Sequence, residues 1–325
     1  MTNPWESEPS KAGLVQLNPT HSLHVSISGP IRQSNNNNNN NHHQPLVVII
    51  PGLGASASQW AAVTRLAQKS SRVLLYDRSG YGLSSESTKP VTAVSIALEL
   101  DQLLHTIQLN GPYVIVCHSW GGIIAREFLH LHSRVDDIAG VVFVDANQER
   151  NATEDPWPSP IVQALVRGLD YLQVTGIAEQ HRLRADEWQA FLDEEKSEKH
   201  ARIVAAEMSA YHASGPVLAE KQQLQRTPPL LRDKPISVLK GLTENDFDKL
   251  YDAGVKAGNG TEQERAAFRD AFKTYGASTE AWQRETMSLS ANARWAIASQ
   301  SGHNIQFTEP EVIVEELQWV LDFCK

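Results

Sequence analysis

The sequence predicts an α/β fold, a mostly parallel, doubly wound sheet with an inserted helical cap. Three observations predict it. Short, wholly apolar runs alternate with helix-length amphipathic segments, the pattern of strands buried on both faces of a parallel sheet. The alternation stops over residues 150–230, which hold helical patterns and no strand candidate. It then resumes with two more apolar runs near the C-terminus. The 325 residues suffice for one large domain or two ordinary ones, at about 100–200 residues each.

The elements follow in order. Strand candidates at 14–17 and 22–28 come first; Leu23, Val25 and Ile27 alternate with polar residues, the period of a half-buried strand. Asparagines then run unbroken from Asn35 to Asn41, followed by His42 and His43. Asparagine competes for backbone hydrogen bonds and favours turns, so 32–45 reads as a flexible surface loop, and its His pair as no metal site. The apolar run 46–50 is a strand, 58–69 a helix, and 73–76 a strand ending at Asp77. Residues 93–109 carry apolar side chains at 96, 97, 100, 103, 104 and 107, which is helical spacing. A strand at 113–117, a helix at 121–132 and a strand at 140–144, ending at Asp145, complete this half. Helices are expected at 161–172 and 187–211, and the charged run 193–199 reads as a solvated helix face. Strands at 236–239 and 294–298 flank a polar helical insertion at 244–285, and a last helix covers 311–323. The division that follows is a sheet domain of 1–148 and 234–325, with a helical cap at 149–233.

Composition bounds the function. Hydrophobic residues at 41% and charged residues at 21% exclude a disordered or collagen-like chain. Lys and Arg number 29 against 38 Asp and Glu, a net charge of −9, which argues against nucleic acid or anionic membrane as partners. No apolar run is long enough for a bilayer-spanning helix, and residues 1–6 lack the basic start of a signal peptide. Cys117 and Cys324 cannot make a disulfide framework. A soluble, cytoplasmic protein is expected. Nothing in the pattern sets an oligomeric state.

Three motifs carry chemistry. In Val116-Cys117-His118-Ser119-Trp120-Gly121-Gly122 a strand ends, a serine follows and two glycines open a helix. This is a nucleophile elbow, with Cys117 standing where the pattern has its first glycine. Read blandly, Ser119 merely caps the helix. Cys117 is a weaker nucleophile candidate, because it sits on the strand rather than the turn. Serine needs an adjacent base. Ser301-Gly302-His303 follows the last strand, and loops at the carboxyl ends of a doubly wound sheet share one rim, so His303 lies on the same rim as Ser119. His130 and His132 point different ways on a helix, and the His118 side chain packs behind the turn. The third motif is Pro51-Gly52-Leu53-Gly54. With Asp77 it mimics a dinucleotide-binding fingerprint, but Pro51, the two preceding strands and the turn Arg78-Ser79-Gly80-Tyr81-Gly82 fit that reading badly.

Taken together, these motifs resemble the α/β-hydrolase superfamily over roughly 12–148 and 234–325. Residues 51–54 resemble its oxyanion loop with proline replacing histidine, and 77–84 its Asp-Arg-x-Gly-x-Gly-x-Ser segment. The resemblance implies Ser119 as nucleophile, His303 as general base and then acid, and the backbone N–H groups of Leu53 and Trp120 as oxyanion hole. Family members usually place the triad acid after the strand at 236–239, where Glu244, Asp246 and Asp248 are candidates. A minority place it one strand earlier, at Asp145. Asp145 is preferred because a rigid strand end orients an imidazole better than a loop, and Asp246 is then an exposed loop carboxylate.

The expected function is hydrolysis of an ester, thioester or lactone of a small apolar molecule through an acyl-enzyme on Ser119. No metal or organic cofactor is implied. Aromatic cap residues, Trp157, Tyr171, Trp188, Phe191 and Tyr211 among them, favour an apolar substrate; most are core and one or two touch it. Carbon–carbon cleavage, lyase or acyl-transfer chemistry by the same residues, and a non-catalytic receptor on the same scaffold, are the alternatives.

Overall fold

The computed structural model describes residues 3–35, 42–132 and 137–324. The asparagines at 36–41 lie outside that range. Ten strands are described: β1 (Ser10–Asn18), β2 (His21–Ser28), β3 (Ser34–Asn35), β4 (His42–His43), β5 (Leu46–Ile50), β6 (Arg72–Tyr76), β7 (Tyr113–His118), β8 (Ile138–Val144), β9 (Ile236–Lys240) and β10 (Ala293–Ile297). Eight form one sheet in the order β1-β2-β6-β5-β7-β8-β9-β10. All its pairings from β6 to β10 are parallel; only β1–β2 and β2–β6 are antiparallel. The predicted fold class holds.

Successive side chains of a strand point to opposite faces. In β5, Leu46, Val48 and Ile50 therefore enter one apolar cluster and Val47 and Ile49 the other. Helices Ala93–Thr106 and Gly121–Leu131 cover the first face. Helices Ala61–Ala67 and Pro310–Asp322 cover the second. The central strands β5 and β7 are buried along their whole length, which is why they read as continuous apolar runs.

Departures from expectation have local causes. The helix expected at 187–211 is two, Ala185–Glu195 and Glu198–Ala219, because Ser197 caps the second by accepting the His200 N–H at 3.1 Å. The helix expected at 161–172 divides in the same way into Pro160–Val166 and Tyr171–Thr175, where Asp170 accepts the Leu172 and Gln173 N–H groups. The loop expected at 32–45 is tied at its base: β3 pairs antiparallel with β4, and buried Arg32 donates to the Asn110 carbonyl at 2.9 Å. The insertion after β9 forms three helices, Thr243–Lys256, Glu262–Phe272 and Tyr275–Thr286. Their Phe247, Leu250, Phe268 and Tyr275 share one apolar cluster with Val162 and Leu165. The roof over the sheet thus comes from two excursions, one after β8 and one after β9. No described helix is long and apolar enough to cross a membrane.

Candidate active site

β7 ends at His118, and the helix Gly121–Leu131 starts two residues after Ser119. The turn forces Ser119 to a φ of +52°, a conformation that side-chain-bearing residues avoid. It persists because both sides of the peptide are held. The Ser119 N–H donates to Val144 at 3.3 Å, and its carbonyl accepts from Gly122 at 2.9 Å and Asn147 at 2.8 Å. Gly121 is obligatory, since a Cβ there would stand 2.4 Å from the Ile50 carbonyl oxygen. Cys117 is fully buried in the core, and burial pushes its thiol well up, so it is no nucleophile.

Asp145 follows the end of β8 and is also held at positive φ, +37°. Its buried carboxylate accepts four hydrogen bonds. Oδ1 takes the Gly241 N–H at 3.0 Å and Gln283 Nε2 at 2.8 Å; Oδ2 takes the Thr243 hydroxyl and His303 Nδ1, each at 2.6 Å. Burial opposes ionisation here, but the bond and charge of His303, with Thr243 and Gln283, outweigh it and hold the carboxyl down at about 2. An ionised carboxylate only accepts, which assigns the proton to His303 Nδ1 and leaves Nε2 for the cavity. Burial lowers the imidazole's affinity for a proton, yet the Asp145 hydrogen bond and charge raise it above the ordinary histidine value.

The loop candidates sit elsewhere. Asp246 is not exposed; it is buried on the helix after β9 and accepts the main-chain N–H of His303 at 2.8 Å. Gly302 lets it do so, because a Cβ there would lie 2.0 Å from that carboxylate. Glu244 pairs with Lys240 at 3.0 Å, and Asp248 is exposed. His118 does more than pack behind the turn. Its Nε2–H donates to the His303 carbonyl at 2.9 Å, and its ring lies 4.6 Å from the His303 ring. Burial first, then the charge of His303, push it down to about 3, so it stays neutral.

The backbone N–H groups of Leu53 and Trp120 donate to no acceptor among the described residues. Their loop is clamped from behind. Arg78 donates to the carbonyls of Pro51 at 2.8 Å and Gly52 at 2.7 Å. Glu207, on the roof helix Glu198–Ala219 and fully buried, binds Arg78 Nε at 2.9 Å, the Tyr81 hydroxyl at 2.7 Å and the Gly54 N–H at 2.9 Å. The run 193–199 is likewise not just a solvated face: Glu194 accepts from Ser56 and the Gly82 N–H, and Lys199 donates to the Gly82 and Ser84 carbonyls. Asp77 accepts the Ala57 N–H at 3.0 Å, which occupies the carboxylate that the dinucleotide reading requires.

Ser119, His303 and Leu53 open onto one cavity of about 420 Å³ between sheet and roof. Its walls are mostly apolar. Of the aromatic cap residues expected near a ligand, Trp157, Tyr171 and Phe191 reach it. Tyr211 instead bonds Asn147, and Trp188 stacks on His181.

A family model described as the alpha/beta hydrolase family matches residues 47–316. The chain belongs to the alpha/beta hydrolase family. A relative in Gibberella zeae, named as an AB hydrolase superfamily protein, is 32% identical over the whole of both chains. A Hormonema carpetanum protein named "Probable transporter efuK" is 29% identical over 98% of this chain, which spans 44% of that protein. Among solved structures, the enol-lactonase of Burkholderia xenovorans superposes with a TM-score of 0.56 at 18% identity, covering 95% of this hydrolase-family chain and 100% of its own. That likeness shows the fold.

Proposed function

We propose that this protein is a serine hydrolase that cleaves an ester, thioester or lactone of a small, largely apolar molecule. One observation carries the reading: Ser119 and His303 line one cavity, and His303 is already bonded to a buried carboxylate on its far side. In this reading His303 Nε2 takes the proton of the Ser119 hydroxyl as its oxygen attacks the carbonyl carbon. The unpaired N–H groups of Leu53 and Trp120 receive the developing oxyanion, a role in which one donor is worth about 100–1,000-fold in rate. The protonated imidazole then gives its proton to the leaving group, and a water activated by the same nitrogen releases the acyl group. No metal or organic cofactor enters these steps.

Labelling with a fluorophosphonate tests it. The protein should be labelled on Ser119, and Ser119→Ala should abolish labelling while leaving the circular dichroism spectrum unchanged. Labelling that persists in the variant, or none in the parent, overturns the reading. Turnover of an aryl ester separates an enzyme from a receptor on the same scaffold, and the products separate hydrolysis from carbon–carbon cleavage or acyl transfer.

A further inference from the structure

Three carboxylates line the cavity, those of Asp155, Glu195 and Asp246, and no Lys or Arg does among the described residues. Two of the three already have a role, one in an ion pair and one in positioning the His303 main chain. Glu195 pairs with His200 at 3.1 Å, and Asp246 accepts the main-chain N–H of His303. Asp155 differs. It accepts the Trp157 N–H at 2.9 Å and, more weakly, the Tyr275 hydroxyl at 3.3 Å, both neutral donors. Among the described residues no cationic side chain forms an ion pair with it.

We propose that Asp155 selects for substrates that carry a hydroxyl or ammonium group, and against those that carry a carboxylate or phosphate. This rests on the reading of the cavity as the substrate site. A carboxylate in an apolar wall has lost water without full replacement, so a ligand donor that reaches it gains a charge-assisted hydrogen bond. The Trp157 and Tyr275 rings, which line the same cavity, also suit a cation on their faces. An anionic group meets the reverse: three carboxylates and no Lys or Arg. Burial pushes the Asp155 carboxyl up to about 6, against the pull of the Trp157 N–H, the Tyr275 hydroxyl and the charge of His303.

Because Asp155 also raises His303 through its charge, activity would mix two effects, and the test reads binding. In a Ser119→Ala background, affinities are measured by calorimetry for 3-phenylpropylamine, 3-phenylpropanol and 3-phenylpropanoate at neutral pH. The amine and the alcohol are expected to bind at least about tenfold more tightly than the acid, the usual worth of one hydrogen bond to a charged group. Asp155→Asn should shrink the amine-to-acid ratio by about tenfold or more. Asp155→Ser serves the same purpose if the amide variant fails to fold. An acid bound as tightly as the amine in the parent overturns the proposal, as does a ratio unchanged by both substitutions. Failure of all three ligands to bind overturns it too. Absence of fluorophosphonate labelling in the protein with Ser119 intact, or its persistence in Ser119→Ala, would sink the Ser119 reading while leaving the affinity order intact, so the two failures are distinguishable.

Discussion

Asp145 receives four hydrogen bonds, and only one of them comes from the imidazole it orients. The other three hold the carboxylate ionised and still. Asp145→Asn keeps the shape but favours the wrong His303 tautomer, a change that costs a serine protease about 10,000-fold. Turnover of an aryl ester is expected to fall at least about 100-fold. Asp246→Asn should stay within about 10-fold, because an amide oxygen still accepts the His303 N–H. A larger loss in Asp246→Asn than in Asp145→Asn would reverse the two roles. The pH profile gives a second reading. The proposed base, His303, would have to be unprotonated, and Asp145 raises its proton affinity, so the acid limb of kcat/KM should lie above the ordinary value of about 6.5. It should drop in Asp145→Asn. Stability follows the same pair. The raised His303 contributes fully below about 6.5, and its contribution is lost as pH rises through its folded value; the depressed Asp145 contributes above about 3.9, and its contribution is lost as pH falls toward 2. Urea unfolding of Asp145→Asn against the parent should therefore differ most between about pH 4 and 6.5. Neutral, buried His118 works the other way below about 6.5 in both proteins.

The elbow is an element with stored strain. Ser119 sits at a φ of +52°, a placement that costs about 1 kcal/mol or more for a non-glycine residue. Glycine adopts that angle freely, with a small entropic penalty in the unfolded chain. Ser119→Gly should thus be more stable than Ser119→Ala by about 1 kcal/mol in urea titrations, with both expected to be inactive under the proposed function. Equal stabilities would mean the turn is unstrained. This element was legible in the sequence because strand, serine and paired glycines lie within nine consecutive residues, each required by the turn. Asp145 was legible for a similar reason, as the polar residue that ends an apolar run. Asp246 was not read correctly. It contacts main chain from a helix, and a side-chain-to-backbone bond across 57 residues leaves no spacing pattern. The break between Ala185–Glu195 and Glu198–Ala219 was missed for a smaller reason. Ser197 lay inside a charged run, where a cap looks like one more polar residue.

At the scale of the molecule, the mostly parallel sheet followed from alternating strands and helices, but its strand order and the joint between roof and floor did not. That joint is Glu207 with Arg78, two fully buried charges 129 residues apart in the chain. Glu207 also accepts the Gly54 N–H, and Arg78 holds the Pro51 and Gly52 carbonyls. The roof therefore fixes the loop that carries the Leu53 N–H, in addition to closing the cavity. Glu207→Gln leaves a buried guanidinium without its counter-charge, a change that typically costs about 3–5 kcal/mol. Replacing both partners by apolar residues, as in Glu207→Met with Arg78→Met, is often close to neutral for such a pair. The double variant should thus recover a large part of the stability lost in Glu207→Gln. It should not recover turnover, because Gly52 and Gly54 stay unclamped and the Leu53 N–H is no longer fixed against the oxyanion. The loss should appear in kcat more than in KM, since the oxyanion develops only in the transition state. If stability and kcat return together, the ion pair is a structural joint alone, and the loop holds its geometry without the roof.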